Sequence, residues 1–191
     1  MTTDVSPAAI LEIARGFMPA KVLMVATRLG LFDLLVDGPM TGAEIAARLG
    51  LHARAIPDFT DALVALRVLD RDGDGADGRY RNTEASARYL VRASDHYVGG
   101  IIAMYDARLY GYWADLDEAL RTGRPQNEVK HTGAPLFEEL YRDPARLEQF
   151  MGAMSGISRA NFAVLADRFD FAPYRTLCDV GGAAADLSCA V

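Results

Sequence analysis

Cysteine is almost missing from this 191-residue chain, which holds only Cys178 and Cys189. Two thiols at that spacing make neither a disulfide framework nor a zinc or redox motif. Both are expected to be reduced and buried, Cys178 in a strand and Cys189 in the helix after it. No run of about 18 apolar residues is present, and no basic, apolar, then small-residue start of the secretory kind, so neither membrane insertion nor export is expected. A cytoplasmic protein fits. A basic surplus is missing too: 20 Lys and Arg stand against 26 Asp and Glu, for a net charge of -6. Nucleic-acid binding needs the opposite balance, because phosphates must be neutralised from one face. Histidine is scarce, with His52, His96 and His131 alone. We expect His52 and His131 in surface loops and His96 at a helix start, and assign none of them a catalytic or metal-binding role.

The chain is 51% hydrophobic and 24% charged, a globular composition that can bury the core of one or two domains. From Pro7 to Leu29 apolar residues recur with a helical period at Ile10, Ile13, Phe17, Val22, Val25 and Leu29, and Pro19 predicts an interruption. Glu12 and Arg15 mark the outer face of the first helix. An amphipathic N-terminal helix of this kind suits dimerisation. Gly38-Pro39 is a turn, and Thr41 followed three residues later by Glu44 is a capping box for a helix ending at Leu49-Gly50. A third helix from Ala53 is expected to turn Ile56, Phe59, Leu63, Leu66 and Val68 inward and run into Leu69. Arg71 to Gly78 is a loop and Arg79 to Asn82 the returning strand of a small hairpin.

Helices followed by a hairpin describe a winged helix, a fold common among DNA-binding regulators. Here the candidate recognition helix balances Arg54 and Arg67 with Asp58 and Asp61, and the wing tip is rich in aspartate. A winged helix used for packing is the better reading. From Asp95 onward aromatics concentrate, including Tyr105 and Trp113, in two helices expected to break near Gly111 and to stop at Gly123 before Pro125. Gln126 to Pro135 is expected to be a polar loop. A helix from Leu136 ends at Asp143-Pro144, where Asp143 caps the next helix and Pro144 opens it. That helix places Leu147, Phe150, Met151, Met154 and Ile157 at helical spacing, a stripe fit for a core and also for a pocket around a flat aromatic ligand. A last, separate helix is expected from Ser158 to Phe169, with Asn161 as a polar residue near the resulting hairpin.

The stretch Thr176 to Val191 carries the chemistry. An apolar run, Leu177 to Val180, holds one acid at Asp179, and Gly181, Gly182 and small residues lead into a helix-like Ala-Asp-Leu. Strand, tight turn and helix start are the parts of a nucleotide-type cofactor site, where glycine permits positive φ and close approach to the main chain. No phosphate-binding lysine follows the turn, so it is not a Walker loop. The stretch resembles the Asp-x-Gly-x-Gly-x-Gly signature of class I methyltransferases, with Gly181 at the first glycine position and Ala183 and Ala185 at the second and third. Alanine in a left-handed conformation costs on the order of 1 kcal/mol.

In order along the chain, Gly16-Phe17 with Lys21, Leu29 to Asp33, Ala43 to Ala46, Gly99-Gly100, Leu120 to Gly123, Pro125 to Glu128, Phe150 to Met154 and Asp179 to Gly182 together resemble bacterial and plant small-molecule O-methyltransferases of the caffeic acid and polyketide-tailoring type. The resemblance spans essentially the whole chain. It implies a mainly α fold: a helical, winged-helix-like dimerisation domain over 1–93, a helical lid and acceptor segment over 94–172, and the first strand of a Rossmann-like α/β methyltransferase domain over 173–191, where the chain stops just after the first cofactor motif. S-adenosyl-L-methionine is the implied cofactor, contacted by Asp179, Gly181, Gly182, Ala183 and Ala185. The acceptor is a hydroxylated aromatic or polyketide small molecule, and its expected pocket residues are Phe150, Met151 and Met154, with Tyr105, Trp113 and Asn161 beside them. A homodimer is implied. The family's histidine base is expected beyond Val191, so no catalytic residue is assigned and the chain by itself is expected to be inactive. The competing reading is a non-catalytic dimeric helical module that binds a hydrophobic ligand or a partner subunit, and a winged-helix DNA-binding regulator ranks below both.

Overall fold

The computed structural model describes residues 6–191, apart from the side chains of His131 and Thr132. The chain divides into two compact units, one through Ala87 and one from Arg88 to Val191.

The first unit opens with α1 (Ala8–Arg15) and α2 (Phe17–Leu29). The break falls at Gly16, not at Pro19 as the sequence suggested: Pro19 sits in the first turn of α2, where its missing N–H would find no intrahelical partner anyway. Gly30, at φ 73°, ends α2 and starts the short α3 (Leu31–Leu34). The core forms around Leu31, Phe32, Leu35, Ile45, Ile56 and Leu63, all buried, each full burial being worth about 1.5–3 kcal/mol. Strand β1 (Met40–Thr41) leads into α4 (Gly42–Leu49), and the capping box is formed: the Thr41 hydroxyl accepts from the Glu44 amide at 3.3 Å while Glu44 Oε2 accepts from the Thr41 amide at 2.7 Å. The Thr41 amide, with its hydroxyl, holds the Glu44 carboxyl below its ordinary range.

Helix α5 (Ile56–Ala65) is shorter than expected. Arg67 takes a left-handed φ of 59° and ends it, so Leu66 is exposed and Leu69 begins strand β2 (Leu69–Asp72). Strand β3 (Arg79–Asn82) returns and pairs antiparallel with both β2 and β1, giving the sheet order β1-β3-β2. The hairpin is tied to α5 through Asp61, which accepts from the Tyr80 hydroxyl at 2.8 Å and from Arg71 Nη1 at 3.0 Å. Gly78 lies beneath this pair, where a Cβ would come 2.5 Å from Arg71 Nε and displace that side chain. Helix α6 (Glu84–Tyr89) leads out of the unit.

In the second unit His96 lies in a turn, not at a helix start; α7 (Gly99–Met104) begins after it. The expected break near Gly111 is replaced by two helical irregularities: a π-helical turn, Tyr105–Leu109, then α8 (Tyr110–Tyr112), then a 3-10 turn, Trp113–Asp115, before α9 (Leu116–Thr122). Gly123, at φ 66°, stops α9 as expected. The expected polar loop after it contains α10 (Val129–Thr132), because the Asn127 side chain accepts from the Val129 amide and caps a helical turn. Helix α11 (Leu136–Arg142) follows, and Asp143 caps α12 (Pro144–Arg168) by accepting from the amides of Ala145 and Arg146.

Helix α12 runs unbroken through 25 residues, so the expected separate helix from Ser158 and its hairpin do not form. Gly156 is a packing position in it, whereas a Cβ on Gly152 would meet nothing. A Cβ on Gly156 would lie 3.0 Å from the Tyr97 carbonyl oxygen, and one on Gly100 of α7 would lie 3.3 Å from the Gly152 carbonyl oxygen. The two helices therefore meet backbone to backbone, with Ala153 fully buried between them. Leu147 is half-buried and Ile157 exposed, so the apolar stripe is only partly core. Overpacking at such a point costs about 1–3 kcal/mol. Ala153→Leu should lower stability by that amount in urea unfolding, whereas Ala160→Leu on the exposed face of α12 should leave it within about 0.5 kcal/mol.

Candidate cofactor turn and acceptor pocket

The approach to the turn, Thr176 to Asp179, runs as irregular chain, and no residue of it pairs in a sheet among the described residues. This corrects the expected strand: an isolated apolar segment has no ladder to join, and backbone pairing defines a strand. Cys178 and Cys189 are exposed, not buried, for the same reason. The turn itself is formed. Gly181 stands at φ 77°, Ala183 at 45° and Ala185 at 61°, so both alanines occupy the left-handed conformation that the glycine pattern calls for. Gly182 lies against the acid, where a Cβ would come within 2.7 Å of the Asp179 carboxylate. The turn closes with the Gly182 amide donating to the Asp179 carbonyl at 3.3 Å.

Helix α13 (Asp186–Ala190) follows. It is anchored on α12 by Asp186, whose Oδ1 lies 3.6 Å from Arg159 Nη2. Ser188 Oγ on α13 is 3.5 Å from Asp179 Oδ2, so the helix reaches back to the acid before the turn. A hollow of about 740 Å³ lies on the approach side, lined by Phe169, Phe171, Tyr174 and Leu177 among others, with Phe169 stacked on Tyr174 at 5.8 Å. Gly181 to Ala185 do not line it.

The expected acceptor residues separate into groups. Phe150 and Met154 pack against the buried cluster of Ile101, Met104 and Ala153, with Ile102 and Leu109 at its edge. Met151 is half-buried on the same helix. Tyr105 is exposed on the π-helical turn. Trp113 is 68% exposed and lines a different hollow of about 160 Å³ with Leu109, Tyr112, Leu116, Ala119 and Gln126. Asn161 is exposed on the unbroken α12, with no hairpin beside it. Of the histidines, His52 is exposed and accepts from the Arg54 amide, and His96 Nε2 lies 3.3 Å from Arg88 Nη2. The side chain of His131 lies outside the described residues.

Arg108 and Glu128 form a two-point ion pair, Nε to Oε1 at 2.6 Å and Nη2 to Oε2 at 3.1 Å, with side chains only 15% and 10% exposed. Sequence reasoning missed it. The only signal was Glu128 in a family-like stretch, and no periodicity links it to Arg108 across a loop. Burial alone would raise the Glu128 carboxyl, but the Arg108 hydrogen bonds and the charges of Arg108 and Arg146 outweigh it and hold the pKa below its ordinary value. Burial, then the neighbouring Glu128 carboxylate, pushes the Tyr112 hydroxyl up. Lys130 extends the network, with Nζ 2.7 Å from Glu118 and 3.1 Å from Asp115.

Comparison with known proteins identifies the two parts of the chain. The O-methyltransferase dimerisation domain matches residues 11–92 and the O-methyltransferase domain matches residues 113–191. The chain belongs to the O-methyltransferase family. It is 36% identical over 191 residues to the N,N-dimethyltransferase OxyT of Streptomyces rimosus, covering 98% of this chain and 54% of that one. It is 38% identical over 182 residues to the tetracenomycin polyketide synthesis 8-O-methyl transferase TcmO of Streptomyces glaucescens, covering 95% and 52%. The structure matches human N-acetylserotonin methyltransferase in complex with SAM at a TM-score of 0.87 and 32% identity, covering 100% of this chain and 57% of that one. The chain thus spans about half the length of the curated relatives it matches.

The Arg108–Glu128 pair makes stability pH-dependent with a definite sign. Because the folded-state pKa of Glu128 is depressed, its contribution is present above the ordinary value of 4.5 and is lost as pH falls through the lowered value. Urea midpoints should show wild type above Glu128→Gln near pH 7, with the gap narrowing as pH falls below 4.5.

Proposed function

We propose that this chain carries the dimerisation, acceptor-lid and cofactor-turn parts of an S-adenosylmethionine-dependent O-methyltransferase that modifies a hydroxylated aromatic or polyketide small molecule in the cytoplasm. The observation that carries the proposal is the turn after Asp179, where positive φ at Gly181, Ala183 and Ala185 keeps the backbone of a methyl-donor site even though alanine replaces two glycines. The residues fit the group. No atom lies within 4 Å of a Cβ built on Gly181, so the main chain there is open to a ligand, and the carboxylate of Asp179 fills the space under Gly182.

When bound, the cofactor supplies an electrophilic methyl group to an attacking acceptor oxygen. In this reading Asp179, Gly181, Gly182, Ala183 and Ala185 hold its methionine end, through backbone exposed by the turn. Phe150, Met151 and Met154, with Tyr105 and Trp113, enclose the acceptor, so that placement and exclusion of water lower the barrier. The deformable thioethers of Met151 and Met154 suit a flat polycyclic shape. Asn161 is not carried forward, since it faces outward. No residue of this chain is assigned as the base.

The functional division follows the same lines: 1–93 for dimerisation, 94–172 for the lid and acceptor, and 173–191 for the opening of the cofactor domain. Homodimerisation is supported by α1, whose Ile10 and Ile13 are 72% and 82% exposed, with Phe17 of α2 beside them. Arg71 of the hairpin is paired with Asp61 of the candidate recognition helix, so it is not free to meet a phosphate. Among the described residues no helix is long and apolar enough to cross a membrane.

Light scattering should give a dimer for wild type and a monomer for Ile13→Glu with Phe17→Glu; an unchanged mass would remove α1 from the interface. Calorimetric titration of S-adenosylhomocysteine into the chain extended by the C-terminal half of the Streptomyces glaucescens relative should give saturable binding. Gly182→Val in the same protein should weaken it at least tenfold, because the new side chain meets the Asp179 carboxylate. Equal affinity in the two would show that the turn is not the cofactor site.

A further inference from the structure

We infer that Arg159 of α12 is a positioning residue for the cofactor turn, acting through Asp186 to hold a turn that its two alanines disfavour. The assignment rests on the cofactor reading above. Ala183 and Ala185 stand at φ 45° and 61°, where a Cβ lowers the population of that conformation by about fivefold or more at each residue. A turn so built relaxes toward negative φ unless something outside it resists. Its own closure does not suffice: the Gly182 amide donates to the Asp179 carbonyl at 3.3 Å and the Ala185 amide to the Gly182 carbonyl at 2.6 Å, so both bonds lie within the turn and open with it.

The outside tie is on the far side. Asp186 directly follows Ala185, and its Oδ1 lies 3.6 Å from Arg159 Nη2, with the Asp186 side chain 20% exposed and that of Arg159 56%. A pair of this kind shifts a population by up to about fivefold, the size of one alanine's effect. Ser188 Oγ, 3.5 Å from Asp179 Oδ2, links α13 back across the turn. Place matters as well as strength. Arg159 follows Met154 by five residues, about 7.5 Å along a helix axis, so α12 carries both acceptor residues and the tie that holds the turn. Affinity follows from population, because a site that is competent for part of the time binds more weakly by that fraction. With alanine the closed turn has little margin and losing Arg159 opens it; with glycine at 183 and 185 the margin is larger and the same loss matters little.

Two readouts test this, one of them without ligand. Arg159 is more than half exposed, so replacing it opens no cavity. Hydrogen exchange of the Ala185 amide, followed by NMR on the ligand-free chain, should be about threefold faster in Arg159→Met. It should return to the wild-type rate in Arg159→Lys, whose ammonium can reach the same carboxylate. S-adenosylhomocysteine titrated into the extended chain described above should bind Arg159→Met about threefold more weakly than wild type. In a protein carrying Ala183→Gly and Ala185→Gly, the same change should weaken binding by less than about 1.5-fold. Unchanged exchange in Arg159→Met, or no rescue by Arg159→Lys, overturns the tie itself. An equal loss of affinity in the alanine and glycine proteins overturns its role in offsetting the alanines. If affinity is unchanged in Arg159→Met while Gly182→Val weakens it, the tie does not position the cofactor and the assignment fails alone. If Gly182→Val is also without effect, the cofactor reading fails and the assignment falls with it.

Discussion

The second unit depends on one close approach, that of α7 to α12 across glycine. Gly100 lets the α7 backbone lie against α12, where a Cβ would come 3.3 Å from the Gly152 carbonyl oxygen, and Ala153 is sealed between the helices. Packing at crystal-like density leaves no slack at such a crossing. Everything assigned to ligand handling is positioned from it. Phe150 and Met154 pack against the cluster at the contact, Met104 leads into the π-helical turn that carries Tyr105 and Arg108, and Arg159, further along α12, holds Asp186 at the start of α13.

The turn after Asp179 shows how alanine can hold torsion angles that favour glycine. Glycine is favoured at left-handed positions because a Cβ crowds the next carbonyl, at a cost on the order of 1 kcal/mol per residue. Ala183 and Ala185 take those positions nonetheless. The strain is local and the anchors are not: Asp186 on Arg159 and Ser188 near Asp179 fix the chain on the far side of the turn. Gly182 is limited instead by the Asp179 carboxylate, which would have to move to admit a Cβ there.

A second layer of organisation is electrostatic. The segment from Gln126 to Lys130 is fastened to the π-helical turn and α9 by Arg108–Glu128 and by Lys130 with Asp115 and Glu118. Arg108 and Glu128 are largely withdrawn from water, where a two-point guanidinium–carboxylate geometry offsets desolvation and leaving one partner alone does not. This fastening closes the wall of the Trp113 hollow. It draws a stretch whose composition suggests solvated loop onto the helical turns beside it.

Local chemistry was legible in the sequence wherever a signal is complete within a few residues. The Thr41–Glu44 capping box, the Asp143-Pro144 helix start, the Gly123 stop, the β3 strand and the Gly181 turn all formed as the residues dictate, and the ordered family-like stretches indicated the family. What only the tertiary structure decided was anything whose cause lies elsewhere in the chain. The stretch from Pro144 to Phe169 read as two helices but is one, with Gly156 set against the Tyr97 carbonyl oxygen, a contact that no local spacing announces. Leu177 to Val180 read as a strand, yet a strand exists only with a partner to pair with. Arg108 and Glu128 carry no mutual signature across the loop that separates them. Burial, pairing and charge compensation are properties of two surfaces brought together, and a sequence states each surface only singly.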